Sequence, residues 1–332
     1  MSDSNVTRAV WLPSSADRSL AINDGTLFEP RTPLGDADFK SLFNTFQREM
    51  SRRLAEMTRP GLMTFALSTK RGLSGQLWLE AAQGLRSGTV GRHGQTDLFL
   101  PWESLLSLRH LLFLVRRVDI STRVRVLDLK TPWGFRAESG GALRAAEADG
   151  LAILSVPGYA LVLAPTGEAL PWDPDAQDPR STLPPRNLEP LQTSDAAPAP
   201  RKHGTRITGL HGPVESPLAA EALRGGDENA EGALVVQNGK REETLMVGPR
   251  ALTRGVLLGR YDRCNVHATG VESGLSRVHA LLLSYEGTVY LTDAGSTNGT
   301  WCEEERIKCA PIQAGRTYRM GEDMRIRWEP IQ

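Results

Sequence analysis

The sequence lacks the features that would direct it to a membrane or an oxidising compartment. No apolar run approaches the ~18 residues of a membrane-spanning helix, and the first 19 residues show no basic stretch followed by an apolar one. We therefore expect neither membrane insertion nor a signal peptide. Only three of the 332 residues are cysteine (Cys264, Cys302 and Cys309), and their spacing is unlike that of metal sites. This predicts reduced thiols in a cytoplasmic protein, without disulfides and without a bound metal.

An excess of charge of one sign and the common catalytic motifs are also missing. Lys and Arg total 39 and so do Asp and Glu, so charge gives no reason to expect nucleic acid or an anionic membrane as a partner. The chain contains no GxxxxGK[ST] loop, HExxH helix, GxSxG turn or kinase signature, and its six histidines are scattered. We therefore predict that the protein is not an enzyme and needs no cofactor.

Four segments differ in composition. Residues 1–60 form a polar extension with a predicted helix at 36–57, where apolar residues recur every three or four positions and indicate packing on a neighbouring domain. Residues 61–165 and 231–332 consist of short β-rich runs separated by Gly, Asp and Pro, which is typical of a β-sandwich. Residues 166–230 hold ten of the 21 prolines and predict a flexible linker, with a short helix at 218–224.

The two β-rich segments repeat three landmarks in the same order. In the later segment, Gly-Arg ends a strand at 259–260, Ser-x-x-His follows at 276–279, and DAGSTNGT begins at 293. In the earlier segment, Gly-Arg stands at 91–92, Ser-x-x-His at 107–110, and DLKTPWGF begins at 128. The step from the Asp to the last Gly is six residues in both segments. Shared order and similar spacing indicate an internal repeat.

This combination of Gly-Arg, Ser-x-x-His and Thr-Asn-Gly on short strands resembles a forkhead-associated (FHA) domain. Residues 231–332 contain all three motifs, whereas residues 61–165 have Pro and Trp in place of the Thr and Asn and resemble a degenerate FHA domain. The resemblance implies an all-β protein with two FHA-type β-sandwich domains in tandem. It also implies that the loops at one end of an intact sandwich bind a phosphothreonine peptide.

The residue types at these positions suit a phosphopeptide site. Arg260 offers a planar fork for phosphate oxygens, and Ser276 offers a hydroxyl donor. For Arg277, a role as a second cation and a role as an ordinary surface residue are about equally supported. The amide of Asn298 has both a donor and an acceptor for a peptide backbone, although Asn-Gly also favours a turn. The resemblance implies that Thr297 helps to form a pocket for the threonine methyl group.

Other residues are predicted to support the site. We interpret His279 as a partly buried bridge between loops that holds the serine, and not as a catalytic group. Asp293 is expected to brace the loop that it begins, and Ser296 to be a turn former. Gly259 and Gly299 complete the motifs. In the earlier segment, the corresponding degenerate site comprises Arg92, Ser107, His110 and Trp133.

The degenerate segment is expected to bind phosphopeptides weakly or not at all. Trp133 lacks the paired donor and acceptor of an amide, and Pro132 lacks both a hydroxyl and a backbone N–H. Arg92 and Ser107 could still hold an anion, with Arg109 nearby but one position later than Arg277. A structural role is the preferred interpretation, and dimerisation or an apolar anchor at Trp133 are the alternatives.

The resemblance implies a non-catalytic adaptor or scaffold that binds phosphothreonine-containing proteins in Ser/Thr kinase signalling, the partner being a kinase or its substrates. The abundance of Ala, Arg and Gly would suit a bacterium of high GC content. The alternative is a phosphorylation-independent assembly protein, for example an accessory component of a secretion system. Phosphorylated linker threonines (Thr182, Thr193, Thr205 or Thr208) binding in cis are a further, weaker hypothesis.

Overall fold

The computed structural model describes residues 8–9, 36–138, 140–186, 188–191, 230–239, 241–267, 274–322 and 324–331. Within these residues the protein consists mainly of β-strands arranged in two sandwiches. The helix predicted at 218–224 and most of the predicted linker lie outside the described residues.

Helix α1 (Asp36–Ala55) precedes all strands of the first sandwich except a two-residue edge strand, which comes before the helix in the chain. Its strands are β1 (Arg8–Ala9), β2 (Gly61–Ser68), β3 (Gly72–Glu80), β4 (Arg86–Gly91), β5 (Leu98–Phe99), β6 (Leu111–Val118), β7 (Ser121–Asp128), β8 (Phe135–Ala137), β9 (Ala142–Leu143), β10 (Ala145–Asp149), β11 (Ala152–Val156), β12 (Tyr159–Thr166) and β13 (Leu188–Pro190).

The second sandwich contains one short helix, α2 (Pro249–Arg254), between its second and third strands. Its strands are β14 (Gly232–Asn238), β15 (Arg241–Val247), β16 (Val256–Gly259), β17 (Val266–His267), β18 (Ala280–Tyr285), β19 (Thr288–Asp293), β20 (Thr300–Cys302), β21 (Glu305–Ile307), β22 (Cys309–Pro311), β23 (Thr317–Met320) and β24 (Met324–Pro330).

The two sandwiches have the same topology. The first consists of a helix-side sheet, in the order β1-β3-β2-β12-β11-β8-β9, and a docking sheet, in the order β13-β10-β7-β6-β4-β5. The second consists of an outer sheet, in the order β15-β14-β24-β23-β20-β21, and its own docking sheet, in the order β17-β16-β18-β19-β22. Without the extra edge strands β1 and β13, each sandwich has eleven strands in one shared order. The predicted fold class, two sandwiches of one type in tandem with an N-terminal helix, is confirmed.

Helix α1 lies on the outer face of the helix-side sheet. Its apolar residues Phe39, Phe43 and Met50 are buried in one cluster with Phe65 and Val162 of the sheet. The inner face of the same sheet packs in the sandwich core. Because both faces are covered, every residue of β2 is buried and the strand lacks the alternation of a half-exposed strand. The helix ends two residues before the predicted boundary at 57.

The first part of the predicted linker differs from the expectation of a flexible segment. The ring of Trp172 is buried edge-on against Phe43 of helix α1, with ring centroids 5.3 Å apart. A 3-10 turn follows at Pro179–Thr182, and β13 then pairs antiparallel with β10. This turn contains Thr182, and the other three linker threonines lie outside the described residues. A few apolar residues therefore dock a segment whose overall composition is Pro-rich.

The two docking sheets pack against each other through a continuous apolar cluster. In β6 and β18 the side chains alternate between the core of their own sandwich and this shared cluster. Its buried members are Leu85, Leu112, Leu114, Leu127, Leu129 and Ala145 of the first sandwich and Leu257, Cys264, Val278, Leu281, Leu283, Tyr285 and Ala294 of the second. Burial of apolar surface at about 25 cal/mol per Å² favours this docking.

Polar contacts surround the apolar cluster. Arg125 donates Nη1 to the carbonyl of Ser284, 2.9 Å away, and its guanidinium lies 4.4 Å from the centre of the Tyr285 ring. The Lys308 ammonium pairs with Asp97 of the first sandwich. These contacts fix how one sandwich sits on the other.

Candidate functional site

The loops that carry the three motifs of the second sandwich are joined by backbone contacts. Arg260 donates its backbone N–H to the carbonyl of Ser276, 3.2 Å away, and Tyr261 donates to the carbonyl of Arg277 at 3.0 Å. A Cβ at Gly259 would collide with that same Arg277 carbonyl. Glycine at this position therefore lets the Ser-x-x-His loop approach the end of β16.

The hydroxyl of Ser276 joins the second loop to the third. Its Oγ accepts the backbone N–H of Thr297 at 3.0 Å. A hydroxyl has one donor and two acceptor positions, so its O–H stays available for a ligand on the open side. Ser276 itself is largely buried, which fixes the position of that hydroxyl.

His279 contacts both the serine loop and the third loop, and it is fully buried where partial burial was expected. Its Nδ1 accepts the backbone N–H of Ser276 at 3.1 Å. The proton must then be on Nε2, which donates to the carbonyl of Gly299 at 3.0 Å. Burial lowers the pKa of His279, while Asp293 acts in the opposite direction. A buried, neutral imidazole with both nitrogens engaged has a structural role.

Asp293 organises the loop that it begins. Its Oδ1 accepts the N–H groups of Gly295 and Ser296 at 2.9 and 2.7 Å. Its Oδ2 accepts the hydroxyls of Ser296 and Thr300 at 2.5 and 2.8 Å. Ser296 is therefore more than a turn former, because its buried hydroxyl fixes the loop from within.

Asn298 lies at the exposed end of this loop. Its Nδ2 donates to the carbonyl of Gly274 at 3.0 Å, and its backbone carbonyl accepts the indole N–H of Trp301 at 2.8 Å. The side-chain oxygen and the second amide hydrogen remain as groups for a peptide backbone. A turn role thus leaves groups of this residue exposed for a ligand, and the sequence left open that both roles coexist.

Four side chains predicted to bind are exposed around buried supports: Arg260, Arg277, Thr297 and Asn298. Within the part of the chain that the structure describes, the guanidinium groups of Arg260 and Arg277 form no hydrogen bond or ion pair. Both cations are therefore available to an anion in solution.

A further cation, Arg306, lies at this site and was not predicted from the sequence. A Cβ on Gly299 would lie 2.6 Å from Nε of Arg306, so this exposed arginine of β21 packs directly over the Thr-Asn-Gly turn. Gly299 adopts φ +77°, which favours glycine and brings the chain close to Arg306. Because Arg306 lies seven residues beyond the motif, only the pairing of β20 with β21 places it there.

The first sandwich keeps the same supports. Ser107 donates its N–H to Nδ1 of His110 at 3.1 Å, and Nε2 of that histidine donates to the carbonyl of Gly134 at 2.7 Å. Asp128 accepts the N–H and the hydroxyl of Thr131, at the position that Ser296 occupies in the second copy. The loop framework of the repeat is therefore preserved.

The groups that would face a ligand differ in the first sandwich. Nε of Arg92 donates to the carbonyl of Leu106, 2.5 Å away, so this guanidinium is held by the neighbouring loop between β5 and β6. Pro132 has no N–H to donate to Ser107, unlike Thr297 opposite Ser276. Trp133 presents an apolar ring that is 39% exposed. The structure brings the four predicted residues of the degenerate site onto the equivalent loops, without the second copy's arrangement of donors.

Two of the three thiols of the second sandwich are shielded. Burial raises the pKa of Cys264 and of Cys309 to about 11 in both cases. The Cys264 thiol contacts the carbonyl of Arg277 at 3.3 Å, and Cys309 accepts a hydrogen bond from Thr292 at 3.2 Å. Thiols with a raised pKa are poor nucleophiles, so these two cysteines serve packing.

Comparison with known protein families points to the same three motif loops. The FHA domain family model matches residues 256–321, which include all three motifs, so the chain carries an FHA domain in its second sandwich. FHA domains are non-catalytic interaction modules that recognise phosphorylated motifs through arginine-containing sites. The eleven-strand order shared by both sandwiches identifies the first as an FHA-type fold too. No curated protein matches the chain.

Three solved structures illustrate what the chain is similar to. The Slr1951 protein from Synechocystis sp. is 20% identical, with 31% of this chain and 100% of that one covered and a TM-score of 0.27. The Mycobacterium tuberculosis Rv1747 FHA-1 is 24% identical, with 30% and 99% covered and a TM-score of 0.24. Mycobacterium tuberculosis EmbR, solved with a low-affinity phosphopeptide, is 17% identical, with 33% and 29% covered and a TM-score of 0.25.

In the described ranges of the chain, no helix has both the length and the apolar composition needed to span a membrane.

Proposed function

We propose that the second sandwich binds phosphothreonine-containing segments of partner proteins, and that the chain acts as a non-catalytic adaptor in Ser/Thr kinase signalling. The observation that carries this proposal is the junction of three loops at Ser276. Its hydroxyl accepts the N–H of Thr297, and its carbonyl accepts the N–H of Arg260. One buried serine thus connects the loops that hold the exposed donors.

The charge and donor inventory suits a phosphate dianion. Phosphothreonine has about −1.5 to −2 charge at pH 7 and three acceptor oxygens. Arg260 and Arg277 supply exposed guanidinium groups, and Ser276 supplies a hydroxyl whose position is held by its burial. Arg306 adds a cation at the far side of the turn. The motif histidine, His279, is buried with both ring nitrogens hydrogen-bonded, so it supports the loops around the site.

Selectivity for threonine and for an extended peptide rests on Thr297 and Asn298. The exposed amide of Asn298 retains one donor and one acceptor for the backbone of a partner. Thr297 is exposed beside the serine and can contact the methyl group of phosphothreonine. Recognition of one methyl group is worth about 1–3 kcal/mol, or roughly ten- to two-hundredfold in affinity.

The cellular setting is part of the same proposal. A cytoplasmic location suits the three free cysteines. A bacterial kinase or one of its substrates is the proposed partner, since the chain's composition suits a bacterium and an FHA domain occurs in the bacterial protein Rv1747 compared above.

The test uses the full chain and a degenerate phosphothreonine peptide library, followed by titration calorimetry with the best peptide. We expect binding to the phosphothreonine form, weaker binding to the phosphoserine form, and none to the unphosphorylated form. Arg260→Ala removes a charge-assisted contact worth about 1.5–3 kcal/mol, so affinity should fall about ten- to a hundredfold.

The matched control is Arg92→Ala, the same position in the first sandwich. It should leave the affinity unchanged, because the Arg92 guanidinium is bound within the first sandwich, to the carbonyl of Leu106. Equal affinity for phosphorylated and unphosphorylated peptides would reject the proposal, and so would an effect of Arg92→Ala as large as that of Arg260→Ala.

A further inference from the structure

The third motif loop of the second sandwich, residues 293–299, contacts the first sandwich. Arg109, from the Ser-x-x-His segment of the first copy, donates Nε and Nη2 to the carbonyl of Gly295 at 3.0 and 2.5 Å. Gly295 lies two residues before Thr297, inside the loop that Asp293 organises. An arginine of one domain thus holds the backbone of the other domain's binding loop.

The Arg109 side chain is buried at this position. Only 3% of its surface is exposed, and burial lowers the pKa of its guanidinium to about 10. Its backbone carbonyl accepts Nη2 of Arg263, at 3.0 Å, from the loop that follows Gly259-Arg260. Two of the three motif loops of the second sandwich therefore contact this one residue.

The fit around Gly295 leaves no room for a side chain at this position. A Cβ at this glycine would lie 2.9 Å from the carbonyl oxygen of Gln95 and 3.2 Å from Oγ1 of Thr89, both in the first sandwich. Gly295 also has φ +76°, a conformation that glycine adopts without strain. The backbone of the loop is thus pressed directly onto the surface of the neighbouring domain.

Arg109 takes the place of a contact that the first copy makes within its own sandwich. In the first copy, Arg144 braces the corresponding loop from within its own sandwich, through Asp128 at 2.6 Å and the carbonyl of Thr131. The equivalent residue in the second copy is Lys308, which precedes β22 as Arg144 precedes β10. The carbonyl of Lys308 accepts the N–H of Asp293, but its ammonium pairs with Asp97 of the first sandwich. The second loop lacks this internal brace, and the neighbouring domain supplies one.

We propose that Arg109 is a positioning residue for the phosphopeptide site, so that the degenerate first sandwich is part of the binding unit of the second. This inference rests on the proposed function. By fixing Gly295, Arg109 limits the motion of the segment that presents the Thr297 N–H to Ser276 and exposes Asn298. A loop that is already ordered loses less conformational entropy on binding, which strengthens affinity.

The test compares two arginines that each bind a carbonyl across the same interface. Arg109→Met keeps most of the side-chain volume and removes the donors to Gly295. Arg125→Met does the same at Ser284, away from the site. Hydrogen exchange of the backbone amides in 293–299 is measured on the full chain without ligand. Affinity for the best phosphothreonine peptide is measured in parallel.

For Arg109→Met we expect faster exchange in 293–299 and an affinity about two- to tenfold lower, as the loss of a hydrogen bond predicts. Arg125→Met should change neither, and Arg109→Lys should recover part of both, since an ammonium can still donate to one carbonyl. Thermal unfolding of all three variants separates loop effects from a general loss of stability.

Equal exchange rates and equal affinities for Arg109→Met and Arg125→Met would overturn the inference. If the unaltered chain binds no phosphothreonine peptide, the proposed function fails. The exchange measurement then still decides whether Arg109 orders the loop.

Discussion

Removing one leucine from the shared apolar cluster should destabilise both sandwiches together. Leu283 is fully buried, and it projects from β18 towards the first sandwich, whereas Leu282 projects into the core of its own sandwich. Buried Leu→Ala changes cost about 2–5 kcal/mol, the sum of lost transfer free energy and the cavity left behind. We expect Leu283→Ala to fall in this range.

The measurement is the unfolding of the full chain by guanidinium chloride, monitored by fluorescence and circular dichroism. Ile120→Ala is the control, because Ile120 is 81% exposed and its removal should change stability by no more than about 0.5 kcal/mol. Leu114→Ala, in the opposite docking sheet, should cost as much as Leu283→Ala. The double variant should deviate from additivity by about 0.5–3 kcal/mol, since both residues belong to one cluster.

Two results would refute this reasoning. One is a cost for Leu283→Ala no greater than that for Ile120→Ala. The other is unfolding in two separate transitions, with Leu114→Ala affecting only one and Leu283→Ala only the other, because the domains would then not stabilise each other.

Two further predictions concern the loop supports. Burial lowers the pKa of His110 and of His279, so on acidification the unfolded chain takes up protons near its ordinary pKa of about 6.5 before the folded chain does. The free energy of unfolding, measured with urea, should therefore decrease as the pH is lowered from 7.5 to 5.5. His279→Gln should reduce this pH dependence. An unaltered pH dependence in that variant would contradict the prediction. Gly299→Ala should cost roughly the 1–2 kcal/mol of a left-handed alanine, and it should also lower phosphopeptide affinity, because the exposed Arg306 side chain has to move away from the new Cβ. Gly287→Ala, at φ +75° with open space around it, is the control, and it should lower stability without lowering phosphopeptide affinity; an equal loss of affinity in both variants would contradict this.

The sequence was sufficient for the features that depend on local patterns. The Gly-Arg, Ser-x-x-His and Asp-to-Gly landmarks lie on corresponding loops of two sandwiches with one topology. The helix was predictable because its apolar positions follow a helical period. The bridging role of His279 followed from its place in the motif, and the structure shows both of its nitrogens engaged.

The docking of the two sandwiches was only partly visible in the sequence. The runs LLFLV in β6 and ALLLSY in β18 are apolar on successive residues, which indicates a strand covered on both faces. Such a run does not tell what covers the second face. Here each docking sheet covers the other, and that pairing depends on contacts between distant parts of the chain.

Arg109 shows why a shift of one position matters. It follows the position equivalent to Arg277, and sequence analysis took it as a nearby cation for an anion in the first domain. Successive residues of an extended segment point in opposite directions. The shift thus aligns Arg109 with Val278, a buried residue of the shared cluster, and directs its guanidinium to the second domain.

The two docking sheets meet through equivalent surfaces. Leu112 and Leu114 stand two and four residues after the motif histidine of the first copy, and Leu281 and Leu283 stand at the same steps in the second. An interface that uses the same patch on both partners is isologous, the arrangement of a twofold homodimer, here formed within one polypeptide. Such a patch is self-complementary. A fragment that holds only one sandwich therefore exposes a surface suited to pairing with another copy of itself, so phosphopeptide binding has to be measured on the intact chain.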